Sequence, residues 1–167
     1  MKRQTIKTII TLLFLTVSLD AYAQLGEIKY DTRVKSKLDS LDINYQITDV
    51  GSFKIIFNMV NDRTQMVIIP TVTEEYGGME IREIYSIAES VDSKDSLNQN
   101  DLFTLLELNK NYKIGSWQIH GGSKPYLLRF AVKLSANATQ SVLDLSIRVA
   151  AKIADEMELK LTSEDEF

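Results

Sequence analysis

Residues 114–161 read IGSWQIHGGSKPYLLRFAVKLSANATQSVLDLSIRVAAKIADEMELKL, and two hydrophobic periods follow one another within them. A period of two predicts one strand over 114–120 and another over 126–134, with a glycine-rich hairpin loop between them. Spacings of three and four residues then predict a long amphipathic helix, which starts with a capping arrangement of Asn137 and Gln140. The apolar line of this helix is expected at Val142, Leu145, Val149, Ile153 and Met157, widened by Leu143, Ile147, Ala150 and Ala154.

The residues before this segment extend the same architecture. Period-two alternation predicts strands over 45–47, 53–60, 66–72 and 81–88, joined by short turns into an antiparallel meander. Pro70 falls inside the third of these, where it indicates a bulge or an unpaired edge. Helical spacing predicts a short helix over 31–41 and another over 102–108, with Asn98 and Asp101 at the start of the latter. The expected fold class is α+β: an antiparallel sheet of about five to six strands with N-terminal, middle and long C-terminal helices.

Composition limits the chemistry that the chain can perform. It has 167 residues, no cysteine and one histidine, with a formal net charge of −4. The absence of cysteine excludes disulfides and thiolate metal sites, and a single histidine leaves no histidine-rich metal site. A net negative charge argues against non-specific nucleic-acid binding, which needs clustered Lys and Arg. We therefore expect no metal, no cofactor and no nucleic-acid partner.

The first 23 residues have the pattern of an export signal. A basic start is followed by an apolar stretch over 9–19, and Ala21-Tyr22-Ala23 supplies the small residues that signal peptidase reads. The apolar stretch is shorter than the roughly 20 residues that a membrane-spanning helix needs, so no stable anchor is expected after cleavage between Ala23 and Gln24. The sequence predicts a signal peptide over 1–23, a single domain over 24–161 and a frayed acidic tail over 162–167, in an exported protein that is periplasmic or secreted.

Four carboxylates near the Gly77-Gly78 turn are the strongest candidates for catalysis. Glu74, Glu75, Glu80 and Glu83 lie close together in sequence, and a pair of carboxylates can carry out acid–base hydrolysis. Acidic residues are also common on exposed strand rims, and the sequence contains no Gly-x-Ser-x-Gly nucleophile motif. We expect solvated charge here, no catalytic residues and no enzyme activity. A small extracytoplasmic hydrolase or ligand-binding protein that uses the carboxylates near Glu74–Glu83 is the alternative.

The second half of the chain resembles the YbjN-like proteins, which share their fold with the type III secretion chaperones. The resemblance consists of a helix end reading LELNKN over 106–111, then the strand pair, then the C-terminal helix. It implies a non-enzymatic protein. Secretion chaperones of this fold are small acidic dimers that hold an extended partner chain on their helix and sheet surfaces, and YbjN-like proteins are described as proposed regulators or chaperone-like binders. This chain differs from the secretion chaperones in having a predicted export signal.

Apolar residues on both faces of several strands point to a binding surface. Ile56, Ile69, Ile84 and Leu127 are expected opposite the main apolar rows, where they would need cover from a second copy or from a partner peptide. The predicted function is an exported, chaperone-like module that binds a protein or peptide, with a homodimer as one way of covering this face. A purely structural envelope subunit is a third hypothesis, which applies if a dimer buries every apolar patch.

The signal peptide gives a first testable prediction. We expect the full chain, expressed in a bacterial host, to appear in the periplasm or medium with an N-terminus at Gln24, as measured by intact mass. Ala23→Phe should block this processing, because signal peptidase needs a small residue at that position. An unprocessed chain confined to the cytoplasmic fraction would contradict the assignment.

Overall fold

The sheet and helices of this protein are seen in a computed structural model that describes residues 29–122, 124–162 and 165–167. The predicted signal peptide and its cleavage site at Ala23 and Gln24 lie outside the described residues. Three α-helices are present there, α1 Thr32–Ser40, α2 Gln99–Asn109 and α3 Gln140–Leu161, together with short 3-10 turns at Val60–Asp62 and Lys94–Ser96. The seven strands are β1 Gln46–Ile47, β2 Phe53–Asn58, β3 Thr64–Ile69, β4 Glu74–Tyr76, β5 Met79–Val91, β6 Ser116–His120 and β7 Tyr126–Ser135. The predicted α+β class is confirmed.

The strands form one antiparallel sheet in the order β1-β2-β3-β5-β7-β6. The sequence did not predict β4, which pairs with the first residues of β5 through a tight turn at Gly77-Gly78. Both glycines have positive φ, 58° and 80°, which is the geometry of a two-residue hairpin turn that glycine adopts without strain. Pro70 does not lie inside β3, because the strand ends at Ile69.

One face of the sheet carries the hydrophobic core. A row of directly paired residues crosses five strands on this face: Ile55, Val67, Ser86, Phe130 and Trp117, all buried. The same core cluster contains Val34 and Leu38 of α1, Leu105 of α2 and Ile147 of α3. All three helices of the described chain therefore pack on this face of the sheet, which we call the helix face.

Helix α3 is rotated about its axis relative to the prediction. Its buried stripe runs through Leu143, Ile147, Ala150 and Ala154, whereas Val142 and Leu145 remain 42% and 55% exposed. The prediction was wrong at Val142 and Leu145, because Ser146, Asp155 and Glu158, all polar, lie on the buried side; Met157 and the four residues predicted to widen the line are buried as expected. The predicted cap was wrong too: Thr139 is the N-cap and accepts a hydrogen bond from the Val142 amide, while Asn137 Oδ1 accepts one from Arg33.

A cluster of ion pairs joins α1 to the sheet. Arg82, 1% exposed near the start of β5, donates hydrogen bonds to the Asp31 carboxylate and to the Pro70 carbonyl, the latter at 2.7 Å. Arg33 bridges Asp31 and Glu80 at 2.6 Å each. Burial by itself would raise the pKa of Asp31, but hydrogen bonds from Arg33 and the charges of Arg82 and Arg33 hold it well below its usual range. Asp31 is therefore an ionised carboxylate that also caps α1.

A second buried ion cluster joins the residue before β3 to the C-terminal half of α3. Arg63 donates to Asp155 at 2.8 Å and to the fully buried Glu158 at 3.1 Å. Glu158 also accepts hydrogen bonds from the amides of Glu166 and Phe167, while Asp165 accepts one from the Thr64 amide. The expectation of a frayed tail was therefore wrong for residues 165–167, which pack back against α3 and the start of β3.

The outer edge of β6 is capped by a side chain. Asn109, the last residue of α2, accepts a hydrogen bond from the Trp117 amide at 2.7 Å and donates one to the Trp117 carbonyl at 3.5 Å. An amide side chain thus takes the place that a neighbouring strand would occupy, which protects an exposed sheet edge from further pairing. Asn109 belongs to the LELNKN segment on which the resemblance stated above rests, and this contact gives that segment a physical role.

Stability should depend on pH through Asp31. Asp31→Asn keeps the helix cap but removes the charge that faces buried Arg82, so we expect a loss of about 3 kcal/mol at pH 7. Below about pH 4 the unfolded chain takes up a proton at Asp31 while the folded chain does not, so the wild-type protein loses this advantage as the pH falls. Urea unfolding of both proteins from pH 7 to pH 2.5 should show the gap narrowing.

The control for this experiment is Asp39→Asn, which removes a carboxylate from the exposed pair with Lys35. An exposed pair contributes little, so the urea midpoint of this variant should stay close to that of the wild-type protein. A gap between wild type and Asp31→Asn that stays constant down to pH 2.5 would contradict the role given to the charge.

Removing the edge cap should have two effects. Asn109→Ala leaves the outward amide and carbonyl of Trp117 without a protein partner, which should cost about 1 kcal/mol and expose the β6 edge. We expect a lower urea midpoint and faster aggregation by light scattering. Asn111→Ala, two residues along at an exposed position, is the matched control and should change neither. Equal behaviour of the two variants would argue against edge protection.

Candidate functional site

The second face of the sheet is the candidate site, and we call it the open face. A row of directly paired residues also crosses it: Lys54, Ile68, Tyr85, Ala131 and Ser116. Because side chains alternate along a strand, the residues two positions away share this face. The open face therefore comprises Lys54, Ile56, Met66, Ile68, Glu83, Tyr85, Ile87, Ser116, Gln118, Leu127, Arg129, Ala131 and Lys133.

No helix of the described chain packs on the open face. None of its apolar residues belongs to the core cluster or to the partly buried residues around that cluster. Ile56 is 52% exposed, and Met66, Ile68 and Leu127 are half-buried, whereas Ile87 and Ala131 in the middle strands are buried. An apolar sheet surface without intramolecular cover is typical of an interaction site.

A polar group lies in the middle of this apolar surface. The Arg129 guanidinium stacks 4.5 Å from the centroid of the Tyr85 ring, and its Nη2 lies 2.7 Å from Glu83 and donates to Gln118 at 3.4 Å. Burial raises the pKa of Tyr85, so this ring is neutral at physiological pH. These contacts, drawn from three strands, hold Arg129 in one orientation.

The Arg129 side chain is only 7% exposed, yet much of its hydrogen-bonding capacity is unused. Its buried Nε has no hydrogen-bond partner, and the ion pair with Glu83 and the hydrogen bond to Gln118 are both made by Nη2. A guanidinium presents five N–H donors in a planar fork that matches a carboxylate. The open face thus contains a fixed cation with donors to spare.

The structure divides the four residues that the sequence assigned to partner binding. Ile56 and Leu127 lie on the open face, but Ile69 and Ile84 are completely buried on the helix face, so their assignment was wrong. At Ile84 the error arose because Arg82 and Ser86 lie on the buried side of β5, and at Ile69 because Gln65 lies on the buried side of β3; these polar residues hide the hydrophobic pattern. Ser86 is accommodated there because it donates to the Met66 carbonyl and accepts from Gln65.

Sequence reasoning gave Arg129 and Tyr85 no role in a site. It named Glu83 only as one of the candidate carboxylates near the Gly77-Gly78 turn. A usable signal was the pair Glu83 and Arg129, one on each of two strands predicted to be antiparallel. The strand order that makes β5 and β7 neighbours was not available from the sequence.

The candidate carboxylates near the Gly77-Gly78 turn do not form one cluster. Glu80 is bound by Arg33 and Thr73, and the Arg33 hydrogen bonds lower its pKa to about 2, which makes it a poor general acid. Glu83 points to the open face and pairs with Arg129. Glu74 pairs across the ladder with Ile81 and lines a shallow pocket of about 170 Å³ together with Glu83 and Lys133.

Two surface grooves lie between a helix and a strand of the sheet. One, of about 230 Å³, lies between α2 and β6 and is lined by Leu102, Leu105, Leu106, Trp117, Gln118, Ile119 and Leu128. The other, of about 530 Å³, lies between the end of β2 and α3, where its basic side chains Arg148 and Lys152 each pair with an acid one turn away. Both grooves are open at the surface, and neither holds an unpaired charged group in the described chain that would select a ligand.

Within residues 29–122, 124–162 and 165–167, no group of three or more His, Asp or Glu is placed to hold a metal ion. None of the helices described for this chain is both long enough and apolar enough to span a bilayer.

Comparison with known proteins identifies the fold. No family model matches the chain, and no curated protein sequence matches it. A search of solved structures finds the crystal structure of YbjN, a proposed transcription regulator from E. coli, with a TM-score of 0.52 and 9% sequence identity. The match covers 82% of this chain and 94% of YbjN. At this identity the likeness concerns the fold, so the predicted resemblance is confirmed at that level: the chain has a YbjN-like fold.

Proposed function

We propose that this protein is an exported, non-enzymatic module that binds a protein or peptide segment on the open face of its sheet. The observation that carries the proposal is the apolar surface around Ile56, Met66, Ile68 and Leu127, which no described helix covers. The sheet behind it is rigid, because the other face is filled by a continuous core. Export rests on the sequence pattern of residues 1–23.

The polar contacts of the site support binding rather than catalysis. Glu83 and Glu80 are both engaged by arginines, and the Arg33 hydrogen bonds lower the pKa of Glu80 to about 2, so that Glu80 is ionised at neutral pH and cannot donate a proton there. A fixed polar group surrounded by apolar side chains is the usual composition of a binding surface, because the apolar part supplies affinity and the polar part supplies orientation.

Binding should be lost when the open face is made charged. We expect Ile56→Glu to weaken binding of a twelve-residue peptide of alternating leucine and serine at least tenfold, since a carboxylate at the contact must be desolvated. The measurement is fluorescence anisotropy with a neutral dye on residues 24–167. Val50→Glu is the matched control, because Val50 is also exposed and precedes β2 at a turn.

Self-association is the competing way of covering this face. Light scattering on a sizing column gives the molar mass of residues 24–167 and of Ile56→Glu. A wild-type dimer that becomes a monomer on substitution would assign the face to a second copy. If Ile56→Glu leaves peptide binding unchanged, the open face is not the binding site.

A further inference from the structure

Resting on the proposed function, we infer that the segment bound on the open face is acidic: a chain in which apolar residues alternate with Asp or Glu. The apolar residues would cover Ile56, Met66 and Ile68, and one carboxylate would bind the Arg129 guanidinium. This inference names the chemistry of the partner, which the apolar surface alone does not determine.

The charge of the open face is opposite in sign to that of the chain. Without the predicted signal peptide, the chain has 16 basic and 22 acidic residues. The open face carries Lys54, Arg129 and Lys133 against the single carboxylate of Glu83. Even when Glu74 on the adjoining hairpin is counted, cations outnumber carboxylates there. Complementary charge favours an acidic partner and disfavours a basic one by like-charge repulsion.

Arg129 supplies the specific contact. Glu83 and Gln118 engage only Nη2, which leaves donors of the same rigid fork without a partner among the described residues. A carboxylate arriving beside Tyr85 would meet a cation that is already oriented and largely stripped of water, so little ordering cost remains. Lys54 lies on β2, in the same row of paired residues as Tyr85 and two strands away from it. Lys133 lies on β7 and pairs directly with Glu83 across the β5–β7 ladder.

Nucleic acid is the other polyanion that a basic surface could attract. Phosphate-backbone binding uses clustered Lys and Arg with few intervening acids and little apolar surface. The open face has three cations spread over an apolar area, with Glu83 among them. The composition therefore favours an acidic protein segment over DNA or RNA.

The test compares three twelve-residue peptides on residues 24–167: leucine alternating with glutamate, with serine or with lysine. At low salt we expect the glutamate peptide to bind at least tenfold more tightly than the lysine peptide, with the serine peptide between them. In 0.5 M NaCl the difference should fall below about threefold, because the screening length shrinks to a few ångströms. The glutamate peptide should also outcompete a single-stranded oligonucleotide of matched length.

Charge reversal on the protein locates the effect. Lys54→Glu with Lys133→Glu should reverse the preference toward the lysine peptide. Lys110→Glu with Lys113→Glu makes the same change of charge at exposed positions between α2 and β6, away from the open face, and should keep the preference for glutamate. Thermal melts of both double variants check that each remains folded.

The outcomes separate this inference from the proposed function. Equal binding of all three peptides, still abolished by Ile56→Glu, would overturn the acidic partner while leaving the open face as a binding site. The acidic partner would also be overturned if Lys110→Glu with Lys113→Glu lost the preference for the glutamate peptide as Lys54→Glu with Lys133→Glu does. Net charge alone would then explain the result. If the oligonucleotide binds more tightly than the glutamate peptide, the partner is nucleic acid and not an acidic segment. If none of the peptides binds, the proposed function itself is contradicted.

Discussion

The buried guanidinium of Arg82 determines how the central strand is oriented, and much of the molecule follows from it. Side chains alternate along a strand, so once Arg82 is held against Asp31 and the Pro70 carbonyl on the helix face, Ile84 and Ser86 must also point inward. The same constraint turns Glu83, Tyr85 and Ile87 outward onto the open face. An arginine is an expensive residue to bury, and it is accommodated here because the partner charge and a backbone acceptor are fixed around it.

The two faces of the sheet consequently use polar residues in different ways. On the helix face, Arg82 and Ser86 are paired within the chain and serve the fold, although Arg82 Nε lacks a partner. On the open face, Arg129 is also held by neighbours but keeps donors that the chain does not use. The first arrangement fixes the register of β5 against the helices. The second presents a charged group to whatever lies above the sheet.

The YbjN-like architecture is retained at 9% sequence identity over most of both chains. Such a fold can host different functions, since activity depends on the surface residues placed on it. What this chain adds to the shared framework is its own set of side chains on the open face. The role of Asn109 at the β6 edge is of a different kind, because it protects a strand that the architecture leaves at the end of the sheet.

The sequence by itself determined the fold class, the approximate positions of most strands and all three helices, and the pattern of an export signal. It could do so because hydrophobic period, turn glycines and helix caps are local properties. Only the tertiary structure decided which side of β5 is buried, which stripe of α3 meets the sheet, and that β5 and β7 are neighbours that bring Glu83 to Arg129. The buried side of β5 and the buried stripe of α3 involve ion pairs between residues far apart in the chain, Asp31 with Arg82 and Arg63 with Glu158. A polar residue that is buried through a distant partner looks exposed in a local pattern, and that is the physical reason why Ile69 and Ile84 were assigned to the surface.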